Sequence, residues 1–142
     1  MGERVIMSRE ILFKAKRIDN GEWVEGDLER TKYDDVIWIV DVRGEKCYRC
    51  DSDTICQYTG LTDKNGEKIW ENDIVECNKR KEECGLYKVI WRKEYADFGV
   101  VPISNTCIGQ YPIGFSYGKT LHGRDYKSVG NIFDNPELLE VE

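Results

Sequence analysis

Proline and histidine are scarce in this chain, and none of its apolar runs is long. The 142 residues include 3 Pro and a single histidine, His122. No apolar stretch approaches the ~18 residues of a membrane helix. The opening "MGERVIMSREILF" lacks the apolar core and cleavage site of a signal peptide, and Ile6 breaks the myristoylation pattern. A soluble, cytoplasmic protein with no membrane association is therefore expected. Positive charge is also short: 21 Lys and Arg stand against 27 Asp and Glu, for a net charge of −6. The deficit is spread along the chain, which argues against a surface built for phosphate backbones. Basic clusters at Lys14-Ala15-Lys16-Arg17 and Lys79-Arg80-Lys81 are each followed by acids, as in solvated loops and edge strands.

The scarcity of histidine bears on catalysis. His122 lies in "LHGRDY", where Arg124 and Asp125 would be its only local partners in an acid–base site. A lone His beside Gly reads as a turn or surface residue, and neither Ser104 nor Ser116 has an elbow-like setting. No catalytic residue and no cofactor are expected. The six cysteines are Cys47, Cys50, Cys56, Cys77, Cys84 and Cys107. Cys47 and Cys50 form a C-x-x-C pair, but the Cys77–Cys84 spacing is loose for a zinc ribbon, and no βαβ context suggests a thioredoxin-like motif. Reduced thiols packing as small hydrophobes are expected, with no metal.

What the chain does have is turn and strand material: 13 Gly, 8 Tyr, 4 Phe and 4 Trp. A single domain over 1–142 is expected, with residues 1–6 a frayed extension because Met7-Ser8 offers a second start. "REILFKAKR" alternates as a half-buried strand should, "DNG" at 19–21 is a turn, and "EWVEGDL" completes a hairpin. "DDVIWIVDV" reads as a central strand. "TICQY", "LYKVIW", "DFGVVPI" and "SVGNIF" continue the pattern. Trp38 and Trp91 are expected in the core, while Trp23 and Trp70 each neighbour charged residues. Residues 104–127 read as a Gly-rich irregular connection or an extended ligand loop. Asn135-Pro136-Glu137 is a helix-start signal, so a short C-terminal helical cap packing Leu138 and Leu139 is expected.

The most patterned stretch, "TGLTDKNGEKIWENDIVEC" at 59–77, is rich in turn residues and poor in reactive groups. Asp63-Lys64-Asn65-Gly66 is a hairpin turn, with Gly60 just before it, because Asn and Gly accept positive φ. Glu71-Asn72-Asp73 must then corner the chain between Trp70 and Ile74. Asn72 is the natural positive-φ position, and Asp73 can accept backbone N–H groups. Ile69 and Ile74 should point inward and fix the strand register, with Val75 following. Strand, hairpin, strand, corner, strand is the wiring of a small bent β barrel.

"DKNGEKIWENDIVE", with "REILFKAKRIDNGEWVEG" before it and "SVGNIFDNPELLE" after, resembles the YopX family of phage and prophage proteins. The shared motif is carried by Asp63, Gly66, Ile69, Trp70, Glu71, Asp73, Ile74 and Val75, with Asn72 where the family usually has Gly. The resemblance implies a mainly β protein, an SH3-like barrel with an added N-terminal hairpin, acting in a bacterial cytoplasm. It implies no activity. A non-enzymatic module that binds a host or phage protein is expected, since such barrels present aromatic loops and edge strands. The alternative is a single-strand nucleic-acid binder, which the net charge disfavours. Homo-oligomers are left open.

Overall fold

The computed structural model describes residues 9–32, 36–77, 85–104 and 119–139. The chain divides into two compact units, Met1–Gly60 and Leu61–Glu142. In the first, β1 (Phe13–Lys16) and β2 (Trp23–Arg30) form the N-terminal hairpin, followed by β3 (Ile37–Asp41) and β4 (Cys47–Cys50). All pair antiparallel. A 3-10 turn at Ser52–Thr54 leads to β5 (Cys56–Thr62), which pairs with β1 and carries the chain past Gly60 into β6 (Lys68–Trp70). The resulting strand order is β4-β3-β2-β1-β5-β6. Alternation decides the inner face. Ala15, Ile37, Ile39 and Cys50 are fully or nearly buried, and Phe13, Val24, Leu28, Tyr48 and Ile55 pack against them.

The second unit contains a five-stranded antiparallel sheet, ordered β10 (Lys119–Thr120), β9 (Asp97–Ser104), β8 (Gly85–Arg92), β7 (Asp73–Cys77) and β11 (Lys127–Asn131). Its core is Ile69, Val75, Cys77, Tyr87, Val89, Val100, Leu121 and Tyr126, with the Tyr87 and Tyr126 rings edge to face at 5.7 Å. Buried aromatic pairs of this kind contribute on the order of 1 kcal/mol beyond their area.

Two expectations change in detail. Among the described residues no sheet closes into a barrel. The first sheet curls until the ends of β1 and β4 meet, but they share a single isolated bridge, Arg17 with Cys50. The C-terminal segment is a 3-10 turn, Pro136–Leu139, with Leu139 at 38% exposure and Leu138 half-buried. Asn135 does not serve as a simple cap. Its Oδ1 accepts the Asn131 N–H at 3.2 Å, which ties the turn to the end of β11.

Candidate functional site

The signature stretch folds as two linked turns built around buried carboxylates. In the hairpin after β5, Asp63 Oδ1 accepts the N–H groups of Asn65 at 2.8 Å and Glu67 at 2.9 Å. Gly60 and Gly66 take φ of 86° and 82°, the left-handed region that an L side chain resists. Asp63 Oδ2 reaches across the sequence to the Ser128 N–H at 2.9 Å. The side chain is 4% exposed. Burial pushes its pKa up, but the N–H donors of Ser128, Glu67 and Asn65 outweigh it and hold the carboxyl below its usual range.

The corner between β6 and β7 uses the same device. Asn72 has φ of 71°, as expected from the need to reverse the chain there. Its N–H donates to Val89 O at 2.9 Å, and its carbonyl accepts from Ile132 at 3.1 Å. Asp73, 3% exposed, accepts the Trp70 N–H on Oδ2 at 2.9 Å and thereby closes the corner. Ile69, Ile74 and Val75 are fully buried, and Trp70 is 5% exposed. Glu71 is half-buried.

Ser128 is the residue that reading the sequence missed. Its N–H goes to Asp63 and its hydroxyl donates to Asp73 Oδ2 at 3.4 Å, so one β11 residue joins both carboxylates. Asn131 was missed as well: its Oδ1 accepts from Phe133 and Asp134, each at 2.9 Å. No local signal marks Ser128, whose partners are set by strand pairing. Asn131 instead closes a local turn whose partners lie two and three residues ahead, in the Asn-x-x-Asp-Asn run that the sequence does offer.

The other candidates lie apart. His122 is exposed and precedes a 3-10 turn, Gly123–Asp125, where Asp125 N–H donates to its carbonyl at 3.0 Å. Gly123 is required there, since a Cβ would sit 2.1 Å from Thr62 O. Cys47 is exposed, and Cys50, Cys56 and Cys77 are buried free thiols. Cys84, Cys107, Ser116 and residues 105–118 of the expected 104–127 connection lie outside the described residues, as do the basic cluster at 79–81 and the segment 1–6. The rest of that connection holds β10 and the turn Gly123–Asp125. Among the described residues, no three His, Cys, Asp or Glu side chains gather as metal ligands.

The tryptophans overturn one expectation. Trp70 is core, but Trp91 is 48% exposed, and Trp38 is only half-buried. Along β8, Tyr87 and Val89 face the core, and Trp91 continues the same alternation past the core's end, against the edge of Phe98 at 5.1 Å. Next to it, Arg92 forms a two-point ion pair with Asp97 at 2.7 and 2.8 Å and donates to Thr120 Oγ1 at 2.9 Å. Tyr95, 59% exposed, stacks on this guanidinium at 4.2 Å. In the first unit, Lys14 and Lys16 place their ammonium groups 4.5 and 5.4 Å from the Trp23 ring centre.

The fold and its carboxylate-pinned turns define a mainly β protein of two antiparallel sheets. The family model described as YopX protein matches residues 12–140, and the chain belongs to that family. Among solved structures, the crystal structure of protein EF1440 from Enterococcus faecalis is similar at 22% identity and a TM-score of 0.49. The match covers 93% of this chain and 99% of that one. No curated protein matches. No helix among the described residues is long and apolar enough to cross a membrane.

Proposed function

We propose that this chain is a non-enzymatic phage or prophage accessory protein that binds a host or phage protein in the bacterial cytoplasm. The observation that carries the reading is Trp91. A tryptophan left 48% exposed at the end of a core-facing strand row, braced by Phe98, is a preorganised anchor for a partner pocket. Tyr95, held on Arg92, adds a second rigid aromatic on the same hairpin. The signature carboxylates support a non-catalytic role, because Asp63 and Asp73 bind backbone N–H groups. The order β5, hairpin, β6, corner, β7 is the wiring on which an SH3-like reading rests.

The test is recovery of partners by tagged protein during phage induction, comparing the unchanged chain with Trp91→Ala. A stoichiometric protein recovered by the first and lost with the second supports the reading. Equal recovery by both overturns the role of Trp91. One specific observation favours a second reading, single-stranded nucleic acid: Trp23 lies under two lysines, the pairing of a stacking surface with phosphate contacts. Nuclease-sensitive recovery, with oligonucleotide affinity that falls steeply with salt, would favour it over the protein partner.

A further inference from the structure

The seam at which β1 meets β4 borders an open pocket of about 330 Å³. The seam is held by the Asp51 N–H donating to Lys16 O at 2.8 Å and the Ile18 N–H donating to Arg49 O at 3.0 Å. Ile18, Val36 and Cys50 supply apolar lining, and Lys16, Arg17 and Ser52 supply polar lining. That volume lies at the small end of the range for ligand pockets, and the mouths of curled sheets commonly hold them.

Arg17 is the group that points to a ligand class. Its Nε and Nη2 donate to the two carboxylate oxygens of Asp19 at 2.9 and 2.6 Å, and its guanidinium lies 4.6 Å from the Tyr48 ring centre. The Tyr48 ring supports the plane of the fork, and the exposed Asp19 is an exchangeable partner. A guanidinium carries five N–H donors. Asp19 takes two of them, and among the described residues no acceptor takes the others. Asp19 is on the hairpin turn, 65% exposed, and does not line the pocket, whereas Arg17 does. The carboxylate that does line it, Asp51, accepts the Asp53 N–H at 3.0 Å.

We propose that this pocket binds a carboxylate borne on a small aliphatic body. The unused N–H groups of Arg17 take the carboxylate in a planar two-point contact. Ile18, Val36 and Cys50 receive the aliphatic part. The shared chemistry fits a free small acid or the C-terminus of a peptide, and the site is independent of Trp91.

The test follows backbone amide signals of the full ¹⁵N-labelled chain during titration at millimolar concentrations. The probes are N-acetyl-leucine, its carboxamide, and the tripeptide Ala-Ala-Leu with a free C-terminus. Expected are saturable shifts at Ile18, Gly21 and Ser52 with the two acids and none with the carboxamide. Tighter binding of the tripeptide identifies a chain terminus as the source, and tighter binding of N-acetyl-leucine a free acid. Arg17→Lys, which keeps the charge and loses the fork, should weaken the acids about tenfold. Similar shifts with acid and carboxamide, or none with either acid, overturn the proposal. Because that comparison uses the unchanged chain, it holds even if Arg17 variants fold poorly.

Discussion

Two turns in this molecule each contain an aspartate, and they use it in opposite ways. At the β5–β6 hairpin, Asp63 is 4% exposed and gathers three backbone N–H groups, one of them from Ser128, far along the chain. At the β1–β2 hairpin, Asp19 is 65% exposed and pairs with the side chain of Arg17, two residues away. The first arrangement replaces water for groups that cannot otherwise be satisfied, so its loss strands buried donors. The second sits in water, where ion pairs contribute little and are easily exchanged. A carboxylate in a turn is architecture when backbone from another strand depends on it. It is free for recognition when only a neighbouring side chain does.

The contrast can be broken most forcefully at the two flanking isoleucines. Ile74→Ala should cost roughly 2–5 kcal/mol in chemical denaturation, because the side chain is fully buried beside the corner. Ile18→Ala, at a residue 54% exposed beside the other turn, should stay within about 0.5 kcal/mol. Equal costs would end the distinction. Asn72→Val comes next, since a β-branched residue at φ of 71° should be destabilising by about 1–3 kcal/mol. Asn72→Gly should be neutral or slightly stabilising by thermal melting.

Smaller still is the acid limb of stability. Asp63 has a native pKa below its unfolded value, so the unfolded chain binds the proton more readily. Its contribution is complete above the unfolded value of about 3.9 and is lost as pH falls through the lowered native one. Asp63→Asn should therefore flatten the loss of stability below that pH. Asp19 is also lowered, by its hydrogen bond to Arg17, yet it is largely exposed to water, and Asp19→Asn should leave the acid limb almost unchanged.

The turns were legible in the sequence because their causes are local. Asn72 had to be at positive φ once Trp70 and Ile74 were read as belonging to successive strands, and Gly66 follows from Asp63 and Asn65. The linkage between the turns was not legible. Ser128 is an ordinary strand residue until β11 is laid beside β7 and brings its N–H and hydroxyl to Asp63 and Asp73. The tryptophans show the same limit. Trp91 was expected in the core; it does stand on the row of Tyr87 and Val89, but only the structure shows that the core ends before it. At the C-terminus, Asn135 precedes a 3-10 turn rather than capping a helix. A competing partner, the Asn131 N–H, took its side chain.

The most direct test of the contrast is equilibrium urea unfolding of Asp63→Asn and Asp19→Asn side by side at neutral pH. An amide at 63 keeps one acceptor oxygen where the carboxylate had two, so a buried N–H loses its partner. The midpoint should fall by an amount equivalent to about 1–3 kcal/mol. Asp19→Asn should unfold with the unchanged chain. If both substitutions shift the midpoint equally, or if Asp63→Asn leaves it in place, the buried carboxylate is not what holds the signature turns together.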